Sequence, residues 1–388
     1  MYNKLELGKV YKKGEINLRI LLVTMAMDIG GAETHILELA KELKRRGNEI
    51  FVVSNGGKYV EELQKDGIEH IWAPLHNKNP KNMIKSYKIL KKVIIEKRID
   101  LVHSHTRISS FICGILKSKL DFPFVTTAHW TFKVTPLLKL MSNWGGKVIA
   151  VSEDIKEYLI KNYKINPENI FVTVNGIDTD KFSKNTKYDD VVKEFAMNEN
   201  SNRIVYISRM DESRALVARQ LVNIAERLNE KIENLEIVIV GGGDVFEEIN
   251  SKAISINEKL GKRLIIMTNA RTDINKFATA GDICVGVSRA ALEMMACEKP
   301  IIIAGNEGYI GIFDETKLEK AIETNFCCRG LEMSNEEKLY SDVLKLANAE
   351  NKESMGKYNR EVVRKYYSIE KMVNDCECAY KEALANRK

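Results

Sequence analysis

Short apolar runs alternate with longer amphipathic segments along most of this chain, and this alternation restricts the fold more than any other feature of the sequence. In the first half, strands are expected at residues 18–25, 50–54, 68–73, 101–105, 124–128 and 148–151, with helices at 34–46, 60–66, 82–97, 109–117 and 153–164. Parallel strands need a crossover connection, which is usually a helix. The pattern therefore predicts an α/β fold built on a doubly wound parallel sheet.

The alternation restarts near residue 203, with strands expected at 203–208, 235–240, 264–267, 283–287 and 301–304 and helices at 215–228, 246–259 and 290–296. Residues 183–202 are polar and have no apolar period, which is typical of a connection between domains. A chain of 388 residues is also too long for one ordinary core. We therefore expect two Rossmann-like domains, at residues 1–190 and 191–366, with ligands bound in the cleft between them beyond the carboxyl ends of the strands.

Composition restricts the location and the partners of the protein. The sequence has no apolar run long enough to span a bilayer, and residues 1–17 are too polar for a signal peptide. We expect a protein of the cytoplasm or of the inner face of a membrane. The formal net charge of +6 comes from 60 basic and 54 acidic residues, a bias too slight to indicate binding to nucleic acid.

Residues 283–308, ICVGVSRAALEMMACEKPIIIAGNEG, carry the clearest chemical signal. The segment predicts a strand, then a helix capped by Ser288, then a second strand that begins after Pro300. Backbone N–H groups and the helix dipole at such a helix N-terminus favour a phosphate group. Glu293 lies on the first turns of this helix, where a carboxylate suits the vicinal hydroxyls of a ribose.

Two arginines follow the first strand of the second half. Arg209 ends that strand, and Arg214 comes five residues later, before the next helix. Together they could bind a diphosphate through fork-like hydrogen bonds and neutralise charge on a leaving group. The alternative is that both arginines lie at a solvated helix start, with Asp211 and Glu212 as salt-bridge partners. If the arginine pair is considered without the other motifs, this alternative is favoured.

All six histidines lie before residue 130, and three of them, His103, His105 and His129, lie at predicted strand ends. No nearby Asp or Cys completes a metal cluster, so we expect no metal site. His129 is the candidate for chemistry because it could hydrogen-bond a sugar or assist proton transfer. A structural role is expected for His103.

Two further motifs resemble ligand-binding sequences, but we do not predict a binding site at either of them. Residues 178–180 spell DTD, which can bind a metal, but the motif lies in a turn that its side chains are expected to shape. The turn GGGD at residues 241–244 lacks a complete GxGxxG, so it is a weak dinucleotide fingerprint.

Ordered motifs over nearly the whole chain resemble the retaining glycosyltransferases of family 4, which have the two-domain GT-B fold. These motifs are GGAETHILELAKELKRRG, VSEDIKEYL, VNGIDTDKF, ISRMDESR, VGGGD and ALEMMACEKPIII. The resemblance implies a hexosyltransferase that uses a nucleotide-sugar donor, a UDP-sugar or alternatively a GDP-sugar. It also implies that a C-terminal helix, at about residues 367–386, packs back on the first domain.

The resemblance assigns roles to particular residues. The implied catalytic residues are His129, Arg209 and Arg214. Those implied to bind the nucleotide sugar are Gly30, Gly31, Arg209, Arg214, Ser288, Arg289, Ala290 and Glu293. Within this set, the two glycines belong to a loop over the donor phosphates, the arginines contact the diphosphate, and Glu293 contacts the ribose.

Two positions depart from the family pattern. Arg214 stands where the family usually has lysine, which keeps the charge but changes its geometry. Val285 stands where the first glutamate of a paired-glutamate motif is usual, and that glutamate normally lies near the donor sugar. The stretch GVSRAALE is instead similar to GT-B enzymes that place small residues and backbone amides against the phosphates.

The leading hypothesis is a metal-independent transferase that moves a sugar to an acceptor hydroxyl with retention, by front-face attack and without a protein nucleophile. A saccharide or lipid-linked acceptor in cell-envelope synthesis is expected. The alternatives are a GT-B-like binding or assembly subunit that has lost turnover, and a nucleotide-sugar 2-epimerase. A basic segment could contact anionic lipid headgroups at the inner membrane face, although a solvated lysine face explains it equally well; its residues are Lys85, Lys88, Lys91, Lys92, Lys97 and Arg98.

Overall fold

A computed structural model describes residues 17–132 and 134–385. The polar segment at residues 1–16, and residue 386 at the end of the predicted C-terminal helix, lie outside the described residues. The chain divides into two compact units. The first contains the described residues up to Ala150, Tyr158–Phe171, and the described residues from Val373 onward, and the second contains Val151–Glu157 and Val172–Met372.

The first unit is built on a parallel sheet. Its strands are β1 (Arg19–Val23), β2 (Glu49–Ser54), β3 (Glu69–Trp72), β4 (Leu101–Ser104), β5 (Phe124–Ala128), β6 (Lys147–Ala150) and β7 (Ile170–Val172). Their order across the sheet is β3-β2-β1-β4-β5-β6-β7. The strand order reverses direction between β1 and β4, and ligands of such sheets bind beyond the carboxyl ends of the strands at this kind of switch point.

The second unit repeats the plan. Its strands are β8 (Asn202–Ile207), β9 (Leu235–Val240), β10 (Ile265–Thr268), β11 (Ile283–Gly286), β12 (Ile301–Gly305) and β13 (Gly308–Ile312). Their order is β10-β9-β8-β11-β12-β13, with β13 antiparallel to β12 and the other pairings parallel. The switch point of this sheet therefore lies between β8 and β11.

Helices cover both sheets. They are α1 (Gly31–Arg45), α2 (Val60–Lys65), α3 (Pro80–Glu96), α4 (Arg107–Lys117), α5 (Pro136–Leu140), α6 (Glu153–Tyr163), α7 (Asp189–Glu194), α8 (Leu216–Asn229), α9 (Phe246–Leu260), α10 (Ile274–Ala280), α11 (Ser288–Ala296), α12 (Leu318–Glu323), α13 (Glu336–Ala347), α14 (Lys352–Tyr366) and α15 (Ile369–Ala385). None of the helices in the described part of the chain is both long enough and apolar enough to cross a bilayer.

The central strands are buried on both faces, as parallel sheets covered by helices require. Every residue of β4, β5 and β9 is buried. In the second unit, one face of the sheet packs on α8, α9 and α13, and the other packs on α10, α11 and α14. The predicted α/β class with doubly wound parallel sheets is confirmed.

The predicted connection at residues 183–202 is part of the second unit. It contains α7, and Val191 and Met197 are buried in the same core as Ile177 and Phe182. Because these apolar residues are spaced irregularly, the segment shows no apolar period. Each of them is nevertheless buried in the core of the second unit. Residues 172–190, which the prediction placed in the first domain, consequently belong to the second unit.

Candidate functional site

The register of the second sheet brings two loops side by side at the switch point. β11 pairs with β8 so that Val285 lies opposite Tyr206. Ser288 comes three residues after Val285, and Arg209 comes three residues after Tyr206. Both residues therefore lie beyond the carboxyl ends of neighbouring strands, at the same edge of the sheet. The residues predicted to bind the donor in this unit therefore lie in the loop after β8 and on helix α11 after β11, at the switch point where ligands of α/β sheets bind.

The N-terminus of α11 has no side-chain cap. Val287 is the N-cap residue, and Ser288 is the first helical residue, so the prediction that Ser288 caps the helix is wrong. Ser288 adopts a left-handed φ of 56°, whereas an N-cap residue is typically extended. Its backbone N–H donates to the Phe326 carbonyl at 2.8 Å. The helix thus presents its first turn and the positive end of its dipole at the carboxyl end of β11.

Glu293 forms a buried ion pair with Arg289. The Nε atom of Arg289 donates to Oε1 of Glu293 at 2.8 Å, and the side chains are only 8% and 5% exposed. The Nη1 atom of Arg289 is buried and has no hydrogen-bond partner among the described residues. The carboxylate of Glu293 is therefore already oriented by a guanidinium. Both residues were predicted site residues, but their pairing was not predicted, although the four-residue spacing indicates it.

Asp211 lies between the two predicted diphosphate-binding arginines. Its Oδ2 atom is 2.9 Å from Nη1 of Arg214 and 3.8 Å from Nε of Arg209. Glu212, the other suggested partner, pairs instead with Arg219 at 2.7 Å. The salt-bridge alternative is thus present for Asp211, whose carboxylate lies near both guanidiniums.

The glycine turn after β9 supports the loop that carries Arg209. A Cβ atom at Gly241 would lie 1.7 Å from the Ser208 carbonyl oxygen, and one at Gly243 would lie 2.4 Å from the Met210 carbonyl carbon. The backbone N–H of Met210 donates to the Gly242 carbonyl at 2.9 Å. The glycines are needed for this close backbone approach, which is a structural reason for the GGGD turn.

Residues 326–329, which were not predicted to belong to the site, contact the start of α11 through the Phe326 carbonyl. Phe326, which accepts the Ser288 N–H bond, lies beside Arg329, whose Nη2 atom donates to Asp154 at 3.1 Å. Arg329 also lies 3.6 Å from the Glu307 carboxylate, which follows β12. Burial raises the pKa of the Glu307 carboxyl group, while Arg329 acts in the opposite direction.

Val285, the residue at the position of the missing glutamate, is fully buried in β11. It belongs to the core that packs on α8 and α13. An apolar side chain in this strand is therefore part of the packing of the sheet.

In the first unit, Gly30 and Gly31 lie at the start of α1. Gly30 is the N-cap residue and Gly31 already belongs to the helix, whereas the prediction placed both in the preceding loop. A Cβ atom at Gly31 would meet nothing within 4 Å, but one at Gly30 would lie 2.2 Å from the carboxylate of Glu33. The space over this helix N-terminus is therefore open at Gly31 and partly taken by an acidic side chain at Gly30.

His129 belongs to a cluster of four histidines in the first unit. Its Nε2 atom is 3.1 Å from Nδ1 of His105, and its ring centroid is 4.9 Å from that of His35. The His103 ring is 4.0 Å from that of His105 and hydrogen-bonds Tyr380 and Thr127 at 2.8 and 2.7 Å. These two hydrogen bonds bear out a structural role for His103.

Burial keeps three of these imidazoles, those of His103, His105 and His129, uncharged near neutral pH. It lowers the pKa of His103 to about 3 and that of His129 to about 4, and it holds the pKa of His105 well below its usual value. Near neutral pH, His129 is therefore a neutral hydrogen-bonding group. No feature of the sequence indicated that His35, which lies on α1, would belong to this cluster.

The DTD motif shapes its turn, as expected. Oδ1 of Asp178 accepts hydrogen bonds from the backbone N–H groups of Asp180 and Lys181, both at 2.9 Å. In the part of the chain that the structure describes, no group of three or more histidine, cysteine or acidic side chains is arranged to hold a metal ion.

Comparison with known proteins places this geometry in a family. The model of Glycosyltransferase Family 4 matches residues 29–181, and that of Glycosyl transferases group 1 matches residues 201–324. An uncharacterized glycosyltransferase of Methanocaldococcus jannaschii is 26% identical over 372 residues, which are 91% of this chain and 95% of the relative. The UDP-Gal:alpha-D-GlcNAc-diphosphoundecaprenol alpha-1,3-galactosyltransferase of Escherichia coli is 26% identical over 252 residues, 60% of this chain and 63% of the relative.

Solved structures share the fold. A glycosyltransferase from Rickettsia africae superposes with a TM-score of 0.75 at 23% identity, over 96% of this chain and 100% of that one. Anabaena HepE in complex with UDP-glucose superposes with a TM-score of 0.72 at 15% identity, over 94% of this chain and 100% of that one. Since the two family models together cover more than half of the chain, this protein belongs to glycosyltransferase family 4 and is a transferase enzyme with the GT-B fold.

Proposed function

We propose that this glycosyltransferase takes its sugar from a nucleoside-diphosphate sugar and binds the diphosphate at the N-terminus of α11. The observation that carries the proposal is the lack of a side-chain cap on this helix, next to a loop with two arginines. An uncapped helix start attracts anions through its free N–H groups and its dipole. Arg209 and Arg214 add the charge that a leaving diphosphate requires.

In this proposal, no metal ion is needed to neutralise the leaving group. The guanidiniums of Arg209 and Arg214 lie on either side of Asp211, and both could turn to a diphosphate and neutralise its charge. Both arginines are partly exposed, with 48% and 37% of each side chain accessible, so they can reorient towards a ligand. Glu293, oriented by Arg289, would bind the ribose hydroxyls.

The transfer would proceed with retention at the anomeric carbon. The bond from this carbon to the β-phosphate oxygen breaks, and the acceptor oxygen bonds to the same carbon from the same face. The acceptor proton passes to the departing phosphate oxygen, so no protein nucleophile takes part, in contrast to the carboxylate nucleophile of a retaining glycosidase. His129, neutral because of its lowered pKa, would hydrogen-bond the sugar.

The relatives support the choice of donor and acceptor. HepE has been solved with UDP-glucose, and the Escherichia coli relative is named for UDP-Gal and a diphosphoundecaprenol acceptor. A UDP-sugar is therefore the first donor to test, with GDP-sugars second. We further propose a saccharide or lipid-linked acceptor in cell-envelope synthesis, on the cytoplasmic face of the membrane.

A panel of UDP- and GDP-sugars tests the proposal, first by thermal shift and then by release of the nucleoside diphosphate with saccharide and lipid-linked acceptors. A donor that binds only the folded enzyme must raise its unfolding temperature. We expect one nucleotide sugar to stabilise the protein and to be consumed in the presence of EDTA. Loss of turnover with EDTA that manganese restores would contradict the metal-independent mechanism, and epimerisation of the free nucleotide sugar without transfer would contradict the assigned reaction.

A further inference from the structure

The outward face of helix α3, in the first unit, combines lysines with exposed isoleucines. All five lysines of the helix are exposed: Lys81, Lys85, Lys88, Lys91 and Lys92. Ile84 and Ile95 are 58% and 53% exposed on the same helix. Isolated exposed apolar residues are ordinary, whereas several apolar side chains grouped with cations on one helix face are typical of a helix that binds a membrane surface.

The two isoleucines lie on the same side of α3. They are separated by about three helical turns at 3.6 residues per turn, so their side chains point in nearly the same direction. The lysines at intervals of three or four residues surround them on this face. Trp72 at the end of β3 extends the patch, because it is 48% exposed and the Nζ atom of Lys85 lies 4.9 Å from the centre of its ring.

The folded core does not account for the exposed isoleucines. The buried side of α3 is formed by Leu90, Val93 and Ile94, which belong to the core that packs against the first sheet and α4. Ile84 and Ile95 are excluded from that core. A purely solvated lysine face would explain the cations, but it leaves both isoleucines without a function.

The charge of the face is largely uncompensated. Among the described residues, Lys92 is the only one of these five lysines that forms an ion pair, with Glu96 at 3.9 Å. Glu96 is also the only acidic residue of α3. The patch therefore offers a concentrated positive potential to an anionic surface.

We propose that this surface docks the enzyme on an anionic lipid bilayer. Ile84, Ile95 and Trp72 would enter the boundary between headgroups and acyl chains, while the lysines contact lipid phosphates. Interfacial helices combine these same two contributions, apolar burial and attraction to anionic headgroups. A nucleic acid or an acidic protein would satisfy the lysines but would give the isoleucines no apolar environment, so the bilayer fits the whole surface better.

Co-sedimentation of the full chain with vesicles tests this docking, with phosphatidylglycerol mixed into phosphatidylcholine and with phosphatidylcholine alone. We expect binding to the anionic vesicles at about 0.1 M salt and much weaker binding at about 1 M, where charges are screened within a few ångströms. The triple variant Lys85→Gln, Lys88→Gln, Lys92→Gln should lower the partition coefficient at least about tenfold. The double variant Ile84→Ser, Ile95→Ser should lower it by at least about tenfold without any change of charge.

Helix α9 in the second unit provides a matched control. It carries an exposed isoleucine, Ile254 at 47%, together with the exposed lysines Lys252 and Lys259. The variant Lys252→Gln, Ile254→Ser, Lys259→Gln should bind vesicles like the wild type. Thermal unfolding of each variant verifies that it is folded before its binding is compared.

Tryptophan emission gives a second readout. The chain has three tryptophans, and we expect a blue shift on adding anionic vesicles that the Trp72→Phe variant loses. Absence of wild-type binding to anionic vesicles would overturn the proposal. So would loss of binding in the lysine variant alone, with the isoleucine variant unaffected, because the surface would then recognise a polyanion by charge and not a bilayer.

Discussion

The Nε atom of Arg289 donates a hydrogen bond of 2.8 Å to Oε1 of Glu293, four residues further along α11. Both side chains are buried, so the guanidinium fixes the orientation of the carboxylate and compensates its charge. Removing one partner of such a pair leaves an uncompensated buried charge. The role of Glu293 in binding must therefore be separated from its role in this pair.

The first prediction concerns the ribose contact of Glu293. Glu293→Gln should weaken binding of the nucleoside diphosphate by about 1.5–3 kcal/mol, because it removes a charged acceptor from the ribose hydroxyls. Arg289→Gln is the matched control, since it breaks the same ion pair but keeps the carboxylate. Calorimetry should show the larger loss of affinity for Glu293→Gln, and equal affinity for wild type and Glu293→Gln would refute the ribose contact.

The second prediction concerns the two arginines after β8. Arg209→Ala should reduce kcat more than it raises KM for the donor, because its contact strengthens as charge builds on the leaving group. Arg214→Lys should be tolerated far better than Arg214→Ala, since it keeps the charge. Arg219→Ala is the control, because Arg219 pairs with Glu212 and Glu248 on the same unit. Transfer at the wild-type rate by both Arg209→Ala and Arg214→Ala would make these arginines surface charges.

The third prediction concerns the backbone at the start of α11. Ser288 has a φ of 56°, a conformation in which a side chain with a Cβ atom costs about 1–2 kcal/mol. Ser288→Gly should therefore be more stable than Ser288→Ala by about 1 kcal/mol, because both variants lose the hydroxyl and only alanine keeps the Cβ. Chemical denaturation measures the difference. Greater stability of the alanine variant would show that this backbone is not strained.

The fourth prediction concerns the histidine cluster. The pKa of His103 is lowered from 6.5 to about 3, so below pH 6.5 the unfolded chain binds a proton that the folded chain does not. The free energy of unfolding should fall as the pH drops below 6.5. The decrease should be about 1.4 kcal/mol per pH unit for each histidine that stays neutral in the folded protein. His103→Gln should reduce this dependence. Unfolding temperatures at about pH 7.5 and 5.5 measure it, and identical pH profiles for variant and wild type would show that His103 does not contribute.

Helices and strands were predictable from the sequence where the residue pattern within the element itself indicates its type. β5 and β9 have the predicted bounds, because β-branched residues predominate in each strand and His129 or Gly241 follows its last residue. β13 was missed, since Gly308 and Gly311 interrupt its apolar pattern, and both adopt positive φ values. α7 was missed because the apolar residues around it, such as Val191 and Met197, are too sparse to form a period.

The candidate site was predictable in position but not in its contacts. Arg209 and α11 follow β8 and β11, which are neighbours only through the sheet order. The strand and helix pattern predicted a doubly wound sheet but did not predict this order. The φ of Ser288 could not be predicted, because serine is more often a cap than a left-handed residue. His35 and His129 are far apart in sequence, and only the folded sheet brings their rings to 4.9 Å.

Calorimetry that compares nucleoside diphosphate with nucleoside monophosphate, using uridine and guanosine nucleotides, tests the diphosphate site most directly. We expect one diphosphate to bind at least about tenfold more tightly than its monophosphate, a difference of about 1.4 kcal/mol. This advantage should disappear in the Arg209→Ala, Arg214→Ala double variant. Equal affinity of the wild type for diphosphate and monophosphate, or a diphosphate preference that survives in the double variant, would contradict a diphosphate site formed by α11 and the two arginines.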